Sequence, residues 1–160
     1  MPAVLKNEVP ADSTIELLDH YSSVTWRTAG VNDEINVGIR DQGEQHATDG
    51  PAALAERVAS VAAELAATLP AEPADRIVFL PWGPWSLRLD DFLVTRIMEL
   101  AVHSDDLAYS VDTDTPTLPD AVLDPVLGLL TALAVRRHGQ PAVLRALSRA
   151  ERAPDRINAI

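Results

Sequence analysis

The stretch PAALAERVASVAAELAATL, residues 51–69, constrains the fold more than any other part of the chain. Leu54, Val58, Val61, Leu65 and Leu69 recur every three or four residues, the period at which side chains share one face of an α-helix. Pro51 stands where a first helical turn tolerates a missing N–H. Alanine fills much of the rest, and it costs no side-chain entropy in a helix. Such a helix must lay its apolar face on a second surface, inside a bundle or across a dimer.

The remaining pattern supplies the neighbours. Asp12 or Ser13 can cap a helix, and Ile15, Leu18, Tyr21 or Ser22, and Thr25 or Trp26 follow at helical spacing, which predicts one long helix from about 13 to 40 with Gly30 and Gly38 as weak points. RDQGEQHATDGP reads as a polar connection carrying a solvated His46. Ile77 to Leu80 is a short β-like run. The turn Pro-Trp-Gly-Pro-Trp and the alternating Leu87, Arg88, Leu89 follow it, predicting an extended or hairpin connection over 77–89. Asp90 or Asp91 caps a helix running to about Tyr109. Asp120 opens another, stopped at His138-Gly139 with a basic last turn, and a short helix over about 141–149 precedes a polar tail. Aromatic residues are only 4% of the chain, which disfavours a β-sandwich. The expected architecture is mainly α: a four-helix bundle forming a single domain over residues 1–160.

The 24 acidic residues outweigh 13 basic ones, for a formal charge of −11. That field repels phosphate backbones, so nucleic acid is not expected as a partner. With no cysteine, neither a disulfide framework nor a thiolate metal site can form, and any metal must take His, Asp or Glu ligands. No stretch approaches the roughly 20 apolar residues of a membrane span, and MPAVLKNEVPADS lacks the apolar core of a signal peptide. The chain reads as a cytoplasmic protein that does not enter membranes.

RIMELAVHSDD, residues 96–106, carries Arg96, Glu99, His103 and Asp106 at spacings of three, four and three. At 100° per residue the four fall within about 80° of arc, among Leu93, Ile97, Leu100, Val102 and Leu107. Charges set between apolar residues must be paired, coordinated to a cation, or opened to a water-filled pocket. Glu99 and His103, at i and i+4, can reach one ion from the same helix, with donors suited to zinc, iron, nickel or manganese. Equally, Arg96, Glu99, His103 and Asp106 can form an ion-pair network that specifies a non-catalytic bundle or dimerisation domain. Spacing leaves both readings open.

LPWGPWSLRLDDFLVTRIMELAVHSDDLAYSV resembles the corresponding segment of the mycothiol-dependent maleylpyruvate isomerase metal-binding domain family, in the DinB-like superfamily. The family pattern is a Pro-Trp-Gly turn followed by T-R-x-x-E-x-x-x-H-x-x-D, matched by Thr95, Arg96, Glu99, His103 and Asp106. RRHGQPAVLRALSRAERAP looks like the end of small single-domain members. The resemblance implies a DinB-like four-helix bundle and a divalent metal, usually zinc, held by Glu99, His103 and a His from the first helix. That first His has no clean counterpart here, so the expectation is a shortened member lacking the helix that bears it. His20 is the candidate substitute, unless a second subunit completes the site. The resemblance also implies mycothiol as a thiol cosubstrate acting with a small-molecule substrate, in an isomerase or transferase reaction. Asp106 would orient His103, and Arg96 would hold an anionic ligand or neutralise Glu99.

Trp82 and Trp85 flank Gly83-Pro84 and are candidates for a pocket mouth, although anchoring the turn is the commoner job of such residues. Tyr21 is a candidate pocket hydroxyl and Trp26 a core residue. Arg136, Arg137, Arg145, Arg149 and Arg152 form a basic cluster, read as a solvated face. No Gly-rich phosphate loop and no G-x-S-x-G elbow is present, so a nucleophilic hydrolase has no support. A homodimer is the partner state that the alanine-rich helix over 51–69 suits.

Overall fold

A computed structural model describes residues 4–11, 13–24, 29–73 and 75–160. It is mainly α, with one small sheet. The elements are a 3₁₀ turn Val4–Lys6, α1 Leu17–Ser23, α2 Glu34–Ala47, α3 Gly50–Thr68, β1 Ile77–Leu80, β2 Trp85–Arg88, α4 Leu89–Ser110, α5 Asp120–His138 and α6 Gln140–Ser148, with 3₁₀ turns after α3 and α6. Internal contacts divide the chain into two compact units. One comprises Met1–Ile15 with Ser23–Leu89, the other Glu16–Ser22 with Asp90–Ile160.

The first unit holds the hairpin that the alternating residues over 77–89 predict. β1 and β2 pair antiparallel, Ile77 opposite Arg88, Val78 opposite Leu87, Phe79 opposite Ser86 and Leu80 opposite Trp85. Val78, Leu80, Leu87 and Leu89 are buried. The turn closes through Gly83 N–H donating to the Leu80 carbonyl at 3.0 Å. A Cβ on Gly83 would lie 2.5 Å from the Trp85 indole, so only glycine fits against that ring. Gly83→Ala should therefore destabilise the chain by about 1–3 kcal/mol, through displacement of a bulky ring. A urea-unfolding midpoint unchanged from wild type would refute this. The N-terminal segment joins the same hairpin. Ser86 N–H donates to the Ser13 carbonyl at 2.7 Å, Ile15 N–H donates to the Ser86 carbonyl at 2.9 Å, and the two serine hydroxyls lie 2.7 Å apart.

The single helix expected from about 13 to 40 is not formed. Ser13 to Ile15 bond to β2 instead, and α1 and α2 are separate helices. Local side-chain bonding explains where α2 begins. Asp33 Oδ2 accepts from Gly30 N–H at 2.7 Å and Asn36 Nδ2 donates to the Gly30 carbonyl at 2.9 Å, while Asp33 itself is extended at the N-cap. Asp and Asn compete with the helical ladder in this way and so mark its start. The polar connection expected over 40–51 is likewise a correction: α2 continues to Ala47, and His46 is in its last turn. Beyond Arg40 the helix reads DQGEQHA, with no apolar side chain larger than alanine and nothing buried, so spacing had no apolar period to follow there. The N-cap candidate Asp12 and the core candidate Trp26 lie outside the described residues.

The second unit contains α1, nearly all of α4, and α5 and α6. Tyr21, Phe92, Met98, Ala108, Val126, Leu129, Leu133, Ala134 and Val143 are buried there. α5 stops at Gly139, whose φ of 83° suits glycine, and α6 starts from the same residue. Arg136 Nη1 donates to Asp19 Oδ1 at 2.8 Å and joins α5 to α1. His138 Nε2 lies 2.9 Å from the Asn158 carbonyl, and Thr115 Oγ1 donates to Asp105 Oδ1 at 2.6 Å. Among the described residues, no helix is long and apolar enough to cross a membrane.

Candidate functional site

α4 carries the ionisable line on a helix whose start is well specified. Asp90 and Asp91 sit in its first turn, where negative charge complements the helix dipole. Phe92, Thr95 and Met98 form a buried ridge at three-residue spacing and Ala108 is buried nearer its end, with Thr95 Oγ1 donating to the Phe92 carbonyl at 2.7 Å. Arg96 and Glu99 are half-buried beside that ridge, and His103 and Asp106 are exposed. The apolar walls expected around the line are present only in part. Met98 is fully buried, whereas Leu100 and Leu107 are 70% and 64% exposed. The line therefore runs along the margin between core and surface.

His103 holds the centre. Its Nε2 lies 3.2 Å from Glu99 Oε2 and its Nδ1 lies 3.1 Å from Asp106 Oδ2, so one imidazole is bracketed by two carboxylates of its own helix. Arg96 is held by a hydroxyl and an aromatic ring. Its Nε donates to Thr95 Oγ1 at 3.1 Å, and its guanidinium carbon sits 5.5 Å over the Phe92 ring. Stacking on an aromatic face while bonding a hydroxyl suits a guanidinium, whose cation stays available to a neighbour.

That neighbour is α1. His20 and Tyr21 are 4% and 1% exposed, and their rings meet edge to face with centroids 5.0 Å apart. Burial, then the Arg96 charge, lowers the His20 pKa from 6.5 to about 4, so its imidazole is neutral near pH 7. Burial first, with the Glu99 charge adding to it and Arg96 opposing, raises the Tyr21 phenol and keeps it protonated. The unfolded chain takes up the His20 proton before the folded one does. Its contribution to stability is thus intact above pH 6.5 and is lost as pH falls toward about 4. Between those values wild type should lose up to about 1.4 kcal/mol per pH unit more than His20→Gln. Urea titrations of both at several pH values read this directly, and parallel pH profiles would contradict it.

Tested against a divalent metal, the line fits in part. In a tetrahedral zinc site with bonds of about 2.0–2.2 Å, two donor atoms of one ion lie roughly 3.3 Å apart. Glu99 Oε2 and His103 Nε2 match that bite at 3.2 Å. Asp106 on the far ring nitrogen is the carboxylate–histidine arrangement that orients metal-binding imidazoles. A third donor is not supplied: among the described residues no three His, Asp or Glu side chains come together as a metal-holding group, His20 included. The fit is a chelating pair with its orienting carboxylate, short of the three protein ligands of a full catalytic zinc site.

The two pocket candidates from the turn belong to the other compact unit. Trp82 is 59% exposed, and Trp85 is half-buried in β2 against Gly83, as an anchor would be. Spacing overlooked Phe92, while Thr95 was named only through the family pattern. Phe92 was findable, since it precedes Arg96 by four residues and so stands under it on a helix.

No curated protein and no solved structure matches the chain. A family model does: the mycothiol maleylpyruvate isomerase N-terminal domain, matched over residues 11–108. The matched region runs from before α1 almost to the end of α4, and includes His20, Tyr21 and the whole ionisable line. With well over half of its length matched, on the segment that carries the site, the chain belongs to the mycothiol maleylpyruvate isomerase N-terminal domain family.

Proposed function

We propose that this chain binds a divalent metal ion, zinc by the chemistry of its donors, through Glu99 and His103, and presents it to a thiol of the mycothiol kind in an isomerase or transferase reaction. The observation that carries this reading is the bracketed imidazole. Glu99 and His103 offer one oxygen and one nitrogen at chelating distance, and Asp106 fixes the ring from behind. When bound, such an ion lowers the pKa of a thiol that coordinates it and polarises a substrate carbonyl. The chain's own residues do the rest. Asp106 holds the His103 Nδ1 proton, Arg96 holds positive charge near α1 for an anionic substrate, and Tyr21 offers a phenol that stays protonated. Two protein donors hold an ion more weakly than three, so the metal is taken up in titration and is removable by mild chelation.

One observation favours a second reading, in which the same line is an ion-pair network. Both ring nitrogens of His103 are already matched by carboxylates without any ion. The His103 and Asp106 side chains are 70% and 64% exposed, however, and pairs so exposed contribute about 0–1 kcal/mol. A structural role would therefore be a minor one. Metal content after dialysis against a slight excess of zinc, with Glu99→Ala in parallel, separates the readings. About one ion per wild-type chain, lost in Glu99→Ala while the unfolding midpoint hardly moves, supports the site. A wild-type chain that takes up no zinc yet is destabilised by Glu99→Ala supports the network.

A further inference from the structure

α3 is a helix of 19 residues that buries none of them. Its apolar residues Leu54, Val58, Val61 and Leu65 follow one another at four, three and four, the spacing of a coiled-coil seam and narrower than the stripe of a helix packed into a globular core. Leu54 is 38% exposed and Val58 61%, with Val61 and Leu65 half-buried. The flanks of this seam are unlike each other. Arg57 and Glu64 each directly precede a seam residue and line one edge, seven residues apart; Ala55 and Ala62 each directly follow one and line the other. All four are exposed.

We propose that α3 pairs antiparallel with α3 of a second copy of this chain about a two-fold axis. In that register Leu54 faces the second copy's Leu65 and Val58 faces its Val61. In antiparallel pairs like edges meet, so Arg57 of each chain lies beside Glu64 of the other, forming two reciprocal ion pairs. A parallel pair would bring unlike edges together and set Arg57 beside Ala62, leaving both charges unmatched. The pattern of opposite charges one heptad apart on a single edge therefore selects the antiparallel form. It also selects a copy of itself, because a two-fold interface requires that i meet j and j meet i. On the opposite edge Ala55 meets Ala62, and residues this small let the backbones approach closely. Arg57 is free to take part: one nitrogen, Nη2, donates to the His46 carbonyl at 2.5 Å, and the guanidinium keeps further donors.

The test is sedimentation equilibrium of the full chain from about 1 to 100 µM, a range that detects dimers of moderate affinity. Wild type, Arg57→Glu, Glu64→Arg and the double swap are compared, each checked for helicity by circular dichroism. Each single change turns two attractive contacts into two repulsive ones and should raise the dimer Kd about tenfold or more. The double swap restores both pairs and should return the Kd to within about threefold of wild type. Orientation has its own readout, since the chain has no cysteine. Mixed Ala55→Cys and Ala62→Cys chains should cross-link to each other in preference to themselves. A wild type that stays monomeric at about 100 µM, or a dimer whose Kd is unmoved by both single changes, overturns the proposal.

Discussion

If Glu99 and His103 hold zinc as proposed, replacing His103 by Ala should lower the zinc affinity of the chain at least about a hundredfold, because it would remove one of two protein donors and leave Glu99 without a chelating partner. Glu99→Ala should do the same. Asp106→Ala leaves both donors but frees the imidazole, and the loss of such an orienting carboxylate costs about 10–100-fold. Asp106→Asn retains an acceptor for Nδ1 at 3.1 Å while removing the charge, so its loss should be the smaller of the two. Because the His103 side chain is 70% exposed, none of these variants should unfold the chain. Isothermal titration with zinc at one pH ranks all four. Binding by His103→Ala equal to wild type would remove the metal reading for this line.

Phe92→Ala should be the most damaging single change to the second unit, costing about 3–5 kcal/mol. The ring is 1% exposed, so truncation deletes buried apolar area and leaves a cavity. It also removes the surface over which the Arg96 guanidinium lies at 5.5 Å. Phe92→Leu fills most of the space but offers no aromatic face, which separates packing from the cation's positioning. Tyr109→Ala, on the same helix but 89% exposed, should stay within about 0.5 kcal/mol of wild type. Equilibrium denaturation of the three is sufficient. A Phe92→Ala cost near that of Tyr109→Ala would show that α4 does not pack through its Phe92–Met98 ridge.

Reading the chain by period succeeded where burial was one-sided and failed where it was absent. α3, α4, α5, α6 and the hairpin are found near the predicted positions, since Pro51, the aspartates at 90, 91 and 120, and Gly139 punctuate them. α2 buries no residue and its second half is polar, and the break before it depends on side-chain bonds among Gly30, Asp33 and Asn36 that no spacing reveals. At the site, the motif spacing placed Glu99, His103 and Asp106 on one line, and the structure joins all three through the imidazole. The contacts that hold Arg96 were not legible in the spacing. A charge on a helix is read first against opposite charges at three and four residues, yet here an aromatic ring and a hydroxyl hold it.

The tie between α1 and α5 bears on how the chain is made. Asp19 and Arg136 are separated by 117 residues, and the buried His20 and Tyr21 belong by contact to the unit formed from residues 90–160. At synthesis rates of about 5–20 residues per second, roughly 6–23 s pass between the translation of Asp19 and that of Arg136. Until α4 has emerged, α1, a helix of seven residues, is too short to persist alone and has none of its unit to dock on. The segment matched to the family thus cannot mature in the order in which it emerges from the ribosome. Its first helix waits for the residues from Asp90 onward, and for its tie to Arg136 until later still.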